Sequence, residues 1–181
     1  MRRLDPRIAL LAGAIAMLGW AVHAEERYGI GRVATSAEIA GWNIDIGRDG
    51  ANLPPGSGSA ERGKVVFTEQ CAACHGDNGQ GGVGDRLVGG QGTLASAKPI
   101  RTVGSYWPYA STLFDYIRRA MPQNAPQSLS NEDVYAVAAY VLSLNGIVPA
   151  DAVLDATSLA AIKMPNRDGF VSDPRPDVHN R

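Results

Sequence analysis

Two cysteines and a histidine lie within five residues of one another, in the stretch Cys71-Ala-Ala-Cys74-His75. The chain contains no other cysteine. Thiol and imidazole groups at this spacing form disulfides, zinc sites, redox-active pairs or attachment points for haem. The chemistry of this stretch therefore depends on which of these four kinds of site the rest of the sequence favours.

Three of the four kinds of site are disfavoured. A disulfide between Cys71 and Cys74 would close a very short ring and constrain little of the unfolded chain. A closed zinc site needs four ligands, and His179 is the only other histidine after residue 24. The strand-then-helix context of a thioredoxin-like pair is missing. Covalent haem attachment remains, in which both thiols form thioethers and His75 ligates the iron.

The spacing of the stretch suits this attachment. Two intervening residues allow one helical turn to present both sulfurs to the porphyrin edge, and the next residue then lies over the iron. A glycine-rich segment, GDNGQGGVGDRLVGGQG, follows His75, and a backbone without side chains can pass close to a flat cofactor. A phosphate-binding loop is disfavoured, because no Lys-Ser or Lys-Thr pair follows these glycines.

A methionine is the expected second ligand of the iron, since thioethers are common axial ligands. Met121 lies in the segment RRAMPQNAPQS, where prolines prevent helix formation. Met164 lies in IKMPNRDGF, beyond the last predicted helix, and would have to fold back across the domain. We therefore expect His75 and Met121 as axial ligands. With both positions filled, such a haem exchanges single electrons and has no open position for a substrate.

Three helices are predicted to position these residues. The first covers about residues 60–70 after an N-cap at Ser59. The second covers about residues 111–120, and the third begins after Ser130, in a sequence that resembles a capping box, and stops before Asn145. Apolar or small residues at helical spacing mark one face of each helix: Gly63, Val66 and Phe67; Leu113, Phe114 and Ile117; Val134, Val137, Ala138, Val141 and Leu142.

An aromatic stretch containing Tyr106, Trp107 and Tyr109 precedes the second helix. These rings are expected either to pack in the core or to place a hydrogen-bond donor near a haem propionate. Arg118 and Arg119 are alternative donors to the propionate. The sequence leaves this choice open.

Residues 1–24 are typical of a secretory signal. Three arginines stand among the first seven residues, and an apolar run extends from Ile8 to Val22. The run is shorter than the roughly 20 residues that a membrane-spanning helix needs. We expect cleavage after Ala24, localisation in the periplasm and no stable membrane insertion. An uncleaved anchor is the alternative.

Composition and charge are those of an ordinary globular domain: of 181 residues, 45% are hydrophobic and 19% are charged. Loss of the signal would remove three arginines and one aspartate, which changes the formal net charge from −1 to −3. The remaining sequence has no cluster of lysines and arginines. We therefore expect neither a nucleic acid nor an anionic membrane as a partner.

The segments CAACHG, GSYWPY, FDYIRRAMP and LSNEDVYAVAAYVLSLN together resemble class I c-type cytochromes, most closely the cytochrome subunit of sulfur dehydrogenase in the Sox sulfur-oxidation system. The segment that begins at Tyr28 is similar to the lead segment of that subunit, so the resemblance extends to about Phe170. It implies an all-α fold: a small helical bundle around one covalently bound haem c, with extended N- and C-terminal arms.

The same resemblance implies the site residues and the function. Cys71 and Cys74 would form the thioethers, and His75 and Met121 would ligate the iron. The chain would be a non-catalytic subunit that accepts electrons from a molybdenum-cofactor sulfur dehydrogenase subunit of the sulfite-oxidase type and passes them to a downstream carrier. Some relatives have a second haem domain, and the single motif here predicts a single-haem version.

Two other functions stay open. A freely diffusing periplasmic cytochrome would serve several dehydrogenases, although a long N-terminal arm argues against it. A haem enzyme acting by itself is the third possibility. The cysteine ligation that some sulfur-oxidising haem enzymes use would need a third cysteine, which this sequence lacks.

Four segments are predicted along the chain. Residues 1–24 form the signal, residues 25–59 an N-terminal arm with a Pro/Gly/Ser linker, residues 60–146 the cytochrome domain and residues 147–181 a C-terminal tail. The arm is expected to wrap the catalytic subunit, with Trp42 as an anchor. The tail is expected either to do the same or to pack against the core.

Overall fold

The computed structural model describes residues 30–175. The predicted signal (1–24), the first residues of the predicted arm (25–29) and His179 lie outside the described residues. None of the helices in residues 30–175 is long and apolar enough to cross a membrane.

The chain divides into two compact units at the peptide bond between Asn43 and Ile44. Within its described part, the first unit contains one helix, α1 (Ser36–Trp42). The described part of the second unit contains five helices and a two-stranded sheet, in the order β1 (Ser57–Ser59), α2 (Ala60–Gln70), α3 (Ala72–His75), α4 (Ala110–Ala120), α5 (Asn131–Leu144), β2 (Val153–Asp155) and α6 (Ala156–Ala161). The mostly helical fold confirms the expected fold class, to which the small sheet is an addition.

The three helices predicted from the sequence correspond to α2, α4 and α5. At the start of α2, the Ser59 hydroxyl accepts a hydrogen bond from the Arg62 N–H at 3.1 Å. At the start of α5, the Ser130 hydroxyl accepts from the Asp133 N–H at 3.1 Å. The return bond of the predicted capping box does not form, because the Asp133 carboxylate instead accepts from Arg62 Nε at 2.9 Å.

Helix α5 is the centre of the fold. Nine consecutive residues, 134–142, are buried, whereas the sequence predicted a single apolar stripe. This helix is enclosed because α2, α4 and both strands contact it. Its contact with α2 is the closest, since a Cβ added at Gly63 would lie 1.9 Å from the Ala136 carbonyl oxygen. Phe67 packs edge-to-face on Tyr140 one turn further along, with ring centroids 5.4 Å apart.

The segment that precedes α2 also packs on the helices. Ile46 is buried, the Ser111 hydroxyl donates to the Arg48 carbonyl at 3.1 Å, and the Tyr135 hydroxyl donates to the Pro54 carbonyl at 2.7 Å. Residues 44–59, which fall within the predicted N-terminal arm and linker, therefore pack against the helices.

The segment that follows α5 returns to the core. Strand β2 pairs antiparallel with β1, so that Leu154 lies opposite Gly58. Leu154, Leu159 and Met164 are all buried. Of the two alternatives for the C-terminal tail, the structure therefore shows packing against the core as far as Met164.

Replacement of Gly63 by alanine tests the contact between α2 and α5. Alanine favours an isolated helix by about 1 kcal/mol over glycine. The added methyl group would nevertheless collide with the Ala136 backbone, so we expect the free energy of unfolding to fall by about 2 kcal/mol. Denaturant unfolding of the haem-loaded protein measures this change.

Gly41→Ala is the matched control, because Gly41 is also helical and an added Cβ would have nothing within 4 Å. We expect it to leave the free energy of unfolding unchanged or to raise it by up to about 1 kcal/mol, because alanine favours a helix. Equal effects of the two substitutions would contradict the close contact.

Candidate functional site

The Cys-Ala-Ala-Cys-His stretch forms the predicted helical turn. Helix α3 begins at Ala72, directly after the last residues of α2, and the His75 N–H donates to the Cys71 carbonyl at 2.9 Å. Both cysteines are free thiols, Cys71 half-buried and Cys74 exposed. The turn therefore holds two unpaired thiols and an imidazole on one short segment.

The Cys71 thiol lacks the lowered pKa of a redox-active cysteine. Burial, with a smaller effect from Cys74, raises the pKa of the Cys71 thiol to about 11. Redox-active cysteine pairs depend on a lowered pKa, which increases the thiolate fraction. Within the described residues, no group of three or more His, Cys, Asp or Glu side chains could hold a metal ion, so a zinc site has no support there either.

The orientation of His75 suits an iron ligand. Its Nδ1 lies 2.7 Å from the backbone carbonyl oxygen of Asp85. Because a carbonyl oxygen only accepts, Nδ1 carries the proton and Nε2 keeps its lone pair. Metal-bound histidines are commonly held by this kind of bond, so the residues fit a haem iron. The role of Asp85 leaves no signal in the sequence, because its backbone carbonyl acts whatever the residue type.

The glycine-rich segment after His75 packs directly against the imidazole. The Gly84 N–H donates to the Cys74 carbonyl at 2.9 Å, and the Gly81 N–H donates to the His75 carbonyl at 2.8 Å. A Cβ added at Gly84 would lie 3.0 Å from Cε1 of His75. The absence of a side chain at Gly84 therefore allows the close approach of this loop to the imidazole.

The two candidate methionines differ in their surroundings. Met121 ends α4 in an extended conformation, with φ −120° and ψ 142°, and is half-buried. This agrees with the predicted break in the helix. Met164 is only 1% exposed and belongs to the hydrophobic core. Its thioether is enclosed by protein atoms, which favours Met121 as the residue with a sulfur available to an iron.

The aromatic stretch before α4 is held by the C-terminal return segment. The Asn166 side-chain amide donates to the Tyr106 carbonyl at 2.7 Å. The Arg167 guanidinium lies 4.4 Å from the ring centroid of Tyr109, and Phe170 packs edge-to-face on Tyr106 at 5.3 Å. Residues 166–170 therefore fix the position of this stretch.

Two further candidates for binding a haem propionate, Trp107 and Arg119, differ in the contacts that they already make. Trp107 packs edge-to-face on Tyr116, with centroids 5.7 Å apart. Arg119 pairs with Asp115 and also with Asp45, the latter at 2.8 Å. Because two carboxylates already engage Arg119, it is a poorer candidate than Trp107 for binding a propionate.

Comparisons with known proteins found one family model and two similar proteins. The family model for cytochrome c matches residues 60–145. A chain in the crystal structure of the sulfane dehydrogenase SoxCD from Paracoccus pantotrophus is 41% identical, with a TM-score of 0.77, and the match covers 83% of this chain and 75% of that one. The thiosulfate dehydrogenase of Stutzerimonas stutzeri (strain A1501) is 35% identical over 92 residues, which are 50% of this chain and 29% of that protein. This chain thus matches less than a third of that enzyme's length.

Substitution of each methionine by leucine tests which thioether ligates the predicted haem. We expect Met121→Leu to abolish the sulfur-to-iron charge-transfer band of the ferric protein and to lower the reduction potential, because a thioether raises that potential. Absorption spectroscopy and redox titration measure these changes.

Met164→Leu is the matched control, since it also removes a sulfur while nearly conserving the volume of a buried side chain. It should cost less than about 1.5 kcal/mol of stability and leave the spectrum unchanged. Loss of the band in Met164→Leu, with its retention in Met121→Leu, would reverse the assignment.

Proposed function

Because this chain belongs to the cytochrome c family, we propose that it is the electron-transfer subunit of a sulfur dehydrogenase whose catalytic site lies on a separate molybdenum-cofactor subunit. The observation that carries this proposal is the 41% identity to a chain of the sulfane dehydrogenase SoxCD. That similarity covers 83% of the chain and so extends well beyond residues 60–145. The chain resembles that protein in its flanking segments as well as in its haem domain.

A cytochrome c of this family holds its haem c covalently. In the proposal, Cys71 and Cys74 supply the thioether sulfurs, while His75 and Met121 are the axial ligands of the iron. When bound, the haem supplies one-electron exchange between ferric and ferrous iron.

The protein groups tune and restrict this exchange. The hydrogen bond from His75 Nδ1 to the Asp85 carbonyl fixes the tautomer, so that Nε2 would be the nitrogen available to bind the iron. Met121, extended at the end of α4, brings a thioether that favours the ferrous state relative to a second imidazole. With both axial positions filled by side chains, oxidation of a sulfur compound takes place on the partner.

The attachment turn lies where a partner can approach. Cys74 is exposed, and Val83 in the neighbouring loop is 95% exposed. A partner docked on this surface would come close to the haem edge. We propose that electrons enter and leave here, from the catalytic subunit and toward a downstream carrier in the periplasm.

A second candidate function has support from one observation. The 35% identity to thiosulfate dehydrogenase favours a chain that oxidises thiosulfate by itself. The match covers only 29% of that enzyme, however, so most of the enzyme lies outside the similarity. We therefore place this function second.

Purification from the native periplasm tests the proposed function. We expect a tagged protein to co-elute with a larger subunit, with about one molybdenum per haem iron in the main fraction. The isolated chain, mixed with thiosulfate alone, should stay oxidised. Iron without molybdenum on a lone chain would support a freely diffusing cytochrome, and reduction by thiosulfate alone would support the enzyme.

Helix α1 supports a role of the N-terminal unit in binding the partner. Its start is fully capped, because Thr35 and Glu38 bond reciprocally. Arg32 pairs with Glu38 and lowers the pKa of that carboxyl to about 2, so the ion pair persists at neutral and mildly acidic pH. Yet Ile39 is 55% and Trp42 is 87% exposed. A preformed helix with exposed apolar side chains is suited to dock in a partner's apolar groove.

Trp42→Ala tests this role. Because aromatic anchors often carry a large share of binding energy, we expect at least about a tenfold weaker affinity for the molybdenum subunit. The haem spectrum should be unchanged. Surface plasmon resonance with the purified catalytic subunit measures the affinity.

Val171→Ala is the control, because Val171 is also apolar and 91% exposed but lies outside the arm. It should bind as the wild type does. Unaltered affinity of Trp42→Ala would remove α1 from the interface.

A further inference from the structure

Asn145 connects the end of α5 to the loop that follows His75. Its side-chain Nδ2 donates both to the Val141 carbonyl of its own helix, at 2.9 Å, and to the Leu87 carbonyl, at 3.1 Å. Its Oδ1 accepts from the Gly89 N–H at 3.1 Å. A single side chain therefore holds two backbone groups of the loop against a buried helix.

The amide of Asn145 has only one workable orientation. Exchange of its oxygen and nitrogen would place an acceptor against the Leu87 carbonyl and a donor against the Gly89 N–H. The Gln91 side chain donates to Oδ1 of Asn145 at 3.5 Å and to the backbone carbonyl of Asn145 at 3.3 Å. Gly104 packs closely against this amide, since a Cβ added at Gly104 would lie 2.0 Å from Oδ1 of Asn145. The amide is therefore fixed in place as well as in orientation.

The held segment is the one that orients His75. Leu87 lies two residues after Asp85, whose carbonyl accepts from His75 Nδ1 at 2.7 Å. The Leu87 N–H is itself bonded to the Gly79 carbonyl at 2.9 Å. Asn145 thus holds Leu87 and Gly89, and Asp85 of the same short segment contacts the imidazole.

We infer that Asn145 is a positioning residue for His75: by holding the Leu87 carbonyl and the Gly89 N–H, it keeps the Asp85 carbonyl in place to accept from Nδ1 of the imidazole. This inference rests on the proposed function, in which His75 ligates the haem iron. The hydrogen bond increases the electron density on Nε2, which favours ferric iron. Without the Asn145 amide, the Asp85 carbonyl is no longer held in place and its hydrogen bond to Nδ1 weakens. The electron density on Nε2 then falls, which raises the reduction potential.

Asn145→Leu tests the inference, because leucine has nearly the same size and forms no hydrogen bond. Two quantities are measured on the haem-loaded protein: the reduction potential, and the exchange of the His75 Nδ1 proton with solvent by NMR in the reduced state. We expect a more positive potential and faster exchange. Asn145→Ala should shift both quantities in the same direction, which separates loss of the amide from any steric effect of leucine.

Asn166→Leu is the matched control. It removes an amide that also bonds a loop carbonyl, that of Tyr106 at 2.7 Å, but that loop does not contain the acceptor for His75. This variant should keep the proton exchange rate of the wild type, although its stability falls. A purely structural role of Asn145 would make the three variants behave alike.

Each outcome has a definite meaning. Wild-type values of both quantities in the two Asn145 variants would overturn the inference and leave the proposed function intact. Failure of both Asn145 variants to retain haem, when Asn166→Leu retains it, would also overturn the inference, since the amide would then serve folding. A wild-type haem without histidine ligation would overturn the inference together with the proposed function.

Discussion

The contact of α2 with α5 at Gly63 is the constraint on which the site depends. Contacts advance in the same direction along both helices, from Gly63 against Ala136 to Phe67 against Tyr140. The segment that follows α2 also meets the end of α5, where Asn145 bonds the Leu87 carbonyl and the Gly89 N–H. The end of α2 carries the cysteine-histidine turn, and the end of α5 carries Asn145. A glycine in one helix thus brings together the histidine and the residue that anchors its loop.

The site is built from backbone as much as from side chains. The imidazole bonds a carbonyl, a glycine packs on its ring, and an asparagine amide fixes the next part of the same loop. These contacts restrict the movement of the His75 imidazole when the charge on the iron changes. That restriction suits a protein that gains and loses electrons without changing its ligands.

The sequence predicted those parts of the fold that depend on local patterns. Ser59 and Ser130 cap helices where expected, since capping depends on residues three apart. The motif around His75 could be interpreted because the rest of the sequence disfavours a disulfide, a zinc site and a redox-active pair. The strands were missed because each has three residues, too few for an alternating pattern, and because β1 and β2 are almost 100 residues apart in sequence.

The parts that the sequence did not predict depend on long-range or backbone contacts. Met164 looked like a residue of a loose tail, yet Leu154 and Leu159 lead the chain back to the core. The roles of Asp85 and Asn145 also went unrecognised. One acts through its carbonyl, and the other, which looked like a simple helix stop, bonds to residues more than 50 positions away.

Exposure of the reduced protein to carbon monoxide tests the central claim most directly: that His75 and Met121 fill both axial positions and leave no site for a substrate. We expect no carbon monoxide adduct at neutral pH, so the ferrous absorption spectrum should be unchanged. Ready formation of the adduct would show a labile or open sixth position. It would contradict assignment of the chain to electron transfer alone.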